Sequence, residues 1–239
     1  MTQETIQPIQ SNPAKTALRK LVPDLLLRER EIVLHLGPEA GRTYIGLRLL
    51  DGLGVRASNQ RMVPSSSRSF VFVCWGNIMR SAMAEFLMNQ ALRDAGLAGQ
   101  LQIRSAGLHA TPGREAHPWA QAASAQLGIS LNQHRAKLLT REMVETADCI
   151  FAMDFQNKAE LLTLYPGFRE KVYMLSAYAE GPGRYRQIPD PYHGDLQGTL
   201  LCGQQLQSCI CNLMKSLFPA SASNKAAIGT ALTDSSASM

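Results

Sequence analysis

Two kinds of hydrophobic pattern alternate along this chain. Short strand-like segments fall near residues 69–74, 101–105, 149–153 and 171–174, nearly all apolar at 69–74 and 149–153 and mixed with polar residues in Leu101-Gln-Ile-Arg-Ser105. Between and after them lie segments whose apolar positions recur at helical spacing, near 80–95, 116–127, 140–147, 155–164 and 197–217. Ser69-Phe-Val-Phe-Val-Cys74 is aromatic, β-branched and uncharged, which predicts a strand buried on both faces. From Ser81 onward the chain is dense in helix formers, with Met83, Phe86, Leu87 and Ala91 on one face. Strands alternating with helices predict an α/β fold: a four-stranded parallel sheet with helices on both faces, in three layers. In such folds ligands bind at the carboxyl ends of the strands.

Ahead of this region, residues 14–60 read as a helical extension. Leu18, Leu21, Val22, Leu25 and Leu26 lie at helical spacing, with Pro23 kinking or starting the helix. Gly37-Pro38 has the form of a helix-ending glycine followed by a first-turn proline, and a second helix runs to about Leu53. A helix pair of this size cannot bury its apolar face alone. It must dock on the main body, on a second copy of itself, on a partner protein or on a membrane surface; docking in cis or dimerisation is the simpler expectation. Residues 1–13 and 219–239 have the polar, Pro- and Ser-rich composition of disordered tails, and 61–68 reads as a linker. The main domain then spans 69–218.

Composition narrows the class. With 45% hydrophobic and 18% charged residues, the 239-residue chain is globular and long enough for one domain with extensions. Its net charge of +5 arises mainly in residues 14–61, with no basic run interleaved with aromatics, so no nucleic-acid partner is expected. No apolar run reaches transmembrane length. Five cysteines, without zinc-like spacing and without an export-signal pattern, predict a reducing, cytoplasmic setting. The histidines share no metal-ligand spacing; neither a metal nor a cofactor is expected.

The chemistry concentrates in Cys74-Trp-Gly-Asn-Ile-Met-Arg80-Ser81, where a cysteine and an arginine flank five residues between a strand and a helix. A loop at a helix N-terminus can aim free backbone N–H groups at one point, and the helix dipole adds partial positive charge there. Arg80 adds a planar fork suited to two phosphate oxygens. The same field favours a thiolate at Cys74. Gly76 permits close backbone approach, Asn77 tolerates a left-handed turn, and Ser81 can bond a thiolate or cap the helix. The spacing alone is weak, because a cysteine ending a hydrophobic strand is usually an inert core residue.

The surrounding sequence resembles a known family. Val71-Phe-Val-Cys-Trp-Gly-Asn-Ile-Met-Arg-Ser-Ala-Met-Ala-Glu85 is similar to the signature of the low-molecular-weight protein tyrosine phosphatases. In the same order follow Ile103-Arg-Ser-Ala-Gly107, Leu127-Gly-Ile-Ser-Leu-Asn-Gln-His-Arg-Ala-Lys137, Asp148-Cys-Ile-Phe-Ala-Met-Asp154 and Ile188-Pro-Asp-Pro-Tyr192. The resemblance implies that Cys74 attacks the phosphorus of a phosphate monoester, that Arg80 and the loop N–H groups hold the phosphoryl oxygens, and that Asp190 is the general acid. It also implies substrate binding by Trp75, Gly76, Asn77, Ile78, Met79, Ser81 and Tyr192, with Ser105 in support and Asn77 and Ser81 also in the hydrogen-bonded support of the loop and thiolate. A phosphotyrosyl protein would be the substrate and a tyrosine kinase, as in exopolysaccharide systems, the partner.

Departures and rivals follow from the same residues. Met79 and Ala82 stand where many relatives carry Cys and Pro, and Lys137 replaces an Arg. Some relatives hydrolyse arginine phosphate, which a Thr near the pocket mouth marks; Ile78 and Trp75 fit the tyrosine reading better. Arsenate reduction on a similar fold needs a cysteine relay, for which Cys202 and Cys209 offer a superficial spacing. A non-catalytic phosphotyrosine-binding module is the other rival, against which Cys74, Arg80 and Asp190 stand intact.

Overall fold

The computed structural model describes residues 24–55, 61–181 and 187–219. The elements in chain order are α1 (Asp24–Gly52), β1 (Ser69–Cys74), α2 (Arg80–Asp94), β2 (Gln102–Gly107), α3 (Pro118–Gln126), α4 (Arg141–Thr146), β3 (Cys149–Ala152), α5 (Phe155–Leu164), β4 (Val172–Met174) and α6 (Leu196–Leu217). The tails read at 1–13 and beyond residue 219 lie outside the described residues, as do Leu18, Leu21, Val22 and Pro23.

The sheet is four-stranded and parallel in the order β2-β1-β3-β4. β1 and β3 are buried along their whole length, which explains their apolar runs. Alternate side chains divide the interior in two. Phe70, Phe72, Cys74 and Phe151 face a core built with α2, α3 and α6. Val71, Val73, Ile150 and Ala152 face a second core with α4, α5 and α1. The chain runs from β1 to β2 on one side and returns past β1 to β3 on the other. The strand order therefore reverses between β1 and β3, and the crevice at their carboxyl ends is where such folds bind ligands.

α1 is broken at Gly37, whose φ of 74° only glycine adopts without strain, and Pro38 starts its second half. The two halves fold back on each other. Glu29 of the first half accepts hydrogen bonds from Tyr44 Oη and Arg48 Nη2 of the second, each at 2.7 Å. The hairpin docks in cis: it packs on α5, with Tyr44 and Leu47 buried and Ile32, Val33 and Leu36 packed against the second core. Burying a Leu side chain stabilises by about 1.5–3 kcal/mol, several times what a surface pair such as Glu29–Arg48 contributes, so the apolar face holds this extension down.

Residues 61–68, for which the serines suggest a linker, lie against the body. Val63 is buried, its N–H donates to Tyr178 Oη at 2.8 Å, and Arg61 stacks over the Tyr173 ring at 4.5 Å. Among the described residues no helix is long and apolar enough to cross a membrane.

Candidate active site

β1 ends at Cys74 and α2 begins at Arg80, so the loop between them bridges a buried strand and a helix N-terminus. Its carbonyls are tied to the framework. Cys74 O accepts from Leu108 N at 3.0 Å, Trp75 O from His109 N at 2.9 Å and Ile78 O from His117 N at 2.9 Å. Asn77 O meets His134 Nε2 at 2.6 Å, and Met79 O accepts from Met83 N at 2.9 Å. In a trans peptide the N–H points opposite to its C=O. With these carbonyls bonded to the framework, the N–H groups that follow them, of Trp75, Gly76, Ile78, Met79 and Arg80, are turned away from it.

Asn77 holds the loop in this shape. It sits at φ 53°, fully buried. Its Nδ2 donates to Ser81 Oγ at 2.9 Å and Ser105 Oγ at 2.8 Å, and its Oδ1 accepts from Lys137 N at 2.8 Å. Ser105 Oγ donates in turn to Glu85. Cys74 Sγ lies 3.0 Å from Ser81 Oγ, so the hydroxyl can donate to a thiolate. Gly107 completes the support, since a Cβ there would stand 2.6 Å from Trp75 O and 2.8 Å from Asn77 N.

Arg80 is 2% exposed. Its Nη1 donates to Asp154 Oδ2 at 2.5 Å and to Ile188 O at 3.0 Å, and its Nη2 donates to Asp190 Oδ2 at 2.5 Å. Burial acts to lower the guanidinium's pKa, but the Asp154 and Asp190 carboxylates outweigh it and the net shift is upward. Asp154 also caps α5, accepting from Asn157 N at 2.7 Å. Asp190 sits between Pro189 and Pro191, and its Oδ1 accepts from Tyr192 N at 3.2 Å.

These groups open on a cleft of about 660 Å³. Cys74, Trp75, Gly76, Ile78, Met79, Arg80, Asp190 and Tyr192 line it, whereas Asn77 and Ser81, expected among the substrate-binding residues, are fully buried outside its lining like Ser105, their side chains spent on hydrogen bonds within the loop. Among the lining residues that the sequence did not single out as site residues are Asp154, His109 and His35. Asp154 carried a signal, following β3 by two residues and capping the next helix. His35 carried none, because it belongs to the extension. No cluster of His, Cys, Asp or Glu among the described residues has the arrangement to hold a metal ion. The arrangement can receive a tetrahedral oxyanion: loop N–H groups and a guanidinium surround a thiol, with a carboxylate at the mouth.

The model of the low molecular weight phosphotyrosine protein phosphatases matches residues 69–222. The chain belongs to this family. A protein-arginine-phosphatase of Bacillus subtilis is 34% identical over 147 residues, covering 62% of this chain and 95% of that protein. The low molecular weight protein-tyrosine-phosphatase Ptp of Acinetobacter johnsonii is 31% identical over 148 residues, 62% of this chain and 96% of its own. Among solved structures, a mutant of YwlE from Bacillus subtilis superimposes with a TM-score of 0.58 at 34% identity, covering 63% of this chain and 99% of that one. The family match begins at Ser69, so α1 lies outside the segment shared with the phosphatases.

Proposed function

We infer that this protein hydrolyses phosphotyrosine in proteins through a cysteinyl-phosphate intermediate. The observation that carries the reading is the meeting of Cys74, Arg80 and Asp190 in one cleft with aromatic walls. Cys74 thiolate attacks phosphorus as the phenolic P–O bond breaks, and Asp190 gives its proton to the departing oxygen. Asp190 then takes a proton from water, which attacks the thiophosphate, releases inorganic phosphate and returns the thiolate. Arg80 and the loop N–H groups hold the three equatorial oxygens, most tightly in the transition state.

Tyrosine is favoured over arginine by the charges in the cleft. The guanidinium of an arginine phosphate needs carboxylates free to accept its N–H groups, whereas Asp154 is taken up by Arg80 and Asn157 N, and Arg114 lines the same cleft. Trp75, Ile78 and Tyr192 instead offer a surface to an aryl ring. Arsenate reduction is disfavoured because its relay thiols would have to ionise. Burial pushes the Cys202 and Cys209 thiols up to about 12 and Cys149 to about 11. The five cysteines are free, which fits a reducing, cytoplasmic setting, and the partner is a phosphotyrosyl protein such as a tyrosine kinase.

The test is phosphate release from phosphotyrosyl and phosphoarginyl peptides by the wild type, Cys74→Ser and Asp190→Asn. The expected result is turnover of phosphotyrosine that Cys74→Ser abolishes and Asp190→Asn lowers by roughly 10²- to 10⁴-fold. Folded, reduced wild type that binds vanadate and turns over neither peptide would overturn the reading.

A further inference from the structure

The extension outside the phosphatase segment reaches the cleft through one side chain. His35, on the first half of α1, lies with its ring centroid 4.9 Å from that of Trp75 at an interplanar angle of 39°. His109 also stacks on the indole, at 3.7 Å and 23°. All three residues line the cleft. We propose that α1 is part of the substrate site: His35 holds Trp75 against His109, and the three-ring wall selects a phosphorylated aromatic ring over other phosphates. The proposal rests on the assignment of this cleft as the phosphate site.

The wall is built at both ends. His109 Nε2 lies 2.5 Å from Glu160 Oε1 on α5, and His109 N donates to Trp75 O, so ring and backbone of Trp75 meet the same residue. α5 is also the helix on which α1 docks. At the His35 end, Ile32, Val33 and Leu36 anchor the helix on the second core around it. Gly41 fixes the hairpin, since a Cβ there would stand 3.0 Å from both Val33 O and Val33 Cγ1. Glu29, bonded to Tyr44 and Arg48, ties the halves together.

Trp75 is only partly buried, at the start of a loop whose other side chains are mostly internal. Without a ring at position 35, the indole loses one of its two ring neighbours and its rotamers are less confined. A substrate phenyl ring packing beside the indole then has to order it on binding, which weakens aryl ligands and leaves ringless ones unaffected. His35 is therefore a positioning residue, acting through Trp75.

The experiment compares full-length wild type, His35→Ala and His35→Phe by calorimetric titration with phenylphosphonate and with inorganic phosphate. The expected result for His35→Ala is a loss of phenylphosphonate affinity of roughly three- to tenfold, with inorganic phosphate changed less than twofold. His35→Phe, which keeps a ring, restores the ratio, and the KM for a phosphotyrosyl peptide rises in His35→Ala by more than kcat falls. Equal weakening of both anions, or no change in either, would overturn the wall. So would a His35→Phe variant that behaves like His35→Ala. A wild type that binds both anions yet turns over no aryl phosphate defeats the catalytic reading while the affinity ratio still decides the wall. One that binds neither defeats both.

Discussion

Arg80 Nη2 donates to Asp190 Oδ2 at 2.5 Å, joining two residues 110 positions apart in the chain. The second nitrogen of the same fork reaches Asp154 at 2.5 Å, and the group is 2% exposed. One planar cation thus orients the carboxylate proposed as acid and is itself aimed by a helix cap. A lysine keeps the charge and loses the fork. Arg80→Lys is expected to lower kcat/KM for a small aryl phosphate by roughly 10²- to 10³-fold, measured by phosphate release.

Asn77 combines a left-handed backbone with three side-chain hydrogen bonds. Asn77→Gly and Asn77→Ala both remove the bonds and leave Lys137 N without its acceptor; only alanine also strains the backbone. Alanine is therefore expected to be less stable than glycine by about 1–2 kcal/mol, read from urea unfolding midpoints at equal slope. Equal midpoints would show that the loop relaxes out of its left-handed turn.

Gly107 lies under the loop with backbone atoms of Trp75 and Asn77 closer than a Cβ allows, at 2.6 and 2.8 Å. The obstacle is backbone rather than a flexible side chain, so the loop must move. Gly107→Ala is expected to cost about 1–3 kcal/mol of stability. Because misplacing a site by about 1 Å can cost 10²-fold in rate, kcat/KM should fall by at least about tenfold. Activity and thermal midpoint measured on the same preparation check both.

His134 is buried against Phe86 and bonded through Nε2 to Asn77 O at 2.6 Å. Burial holds its pKa below the ordinary value of 6.5 in the folded protein. Below that pH the unfolded chain binds more protons than the folded one, so stability rises with pH through the window and falls as pH drops below 6.5. His134→Gln, which keeps an N–H donor and cannot charge, should reduce this slope in pH-dependent urea titrations. His117, also pushed down by burial and by Arg114, leaves a residual slope.

Local pattern alone determined the strands, the helices and the break at Gly37-Pro38, while the loop from Cys74 to Arg80 stood out through the resemblance of its surroundings to a family signature. Each depends on neighbours within a few residues: a buried strand must be apolar throughout, a helix shows its period, and a turn at positive φ calls for Gly or Asn. Tertiary structure decided what crosses the chain. Asp154 and Asp190 converge on Arg80 only because the parallel crossovers bring three strand-end loops to one edge of the sheet. The serine-rich segment 61–68 is packed rather than free because Tyr173 and Tyr178 happen to face it. His35 reaches Trp75 because the hairpin's apolar face fits α5. An amphipathic pattern states that a face must be covered; it does not encode by what, since apolar burial is non-directional and the partner surface exists only after the rest of the chain has folded.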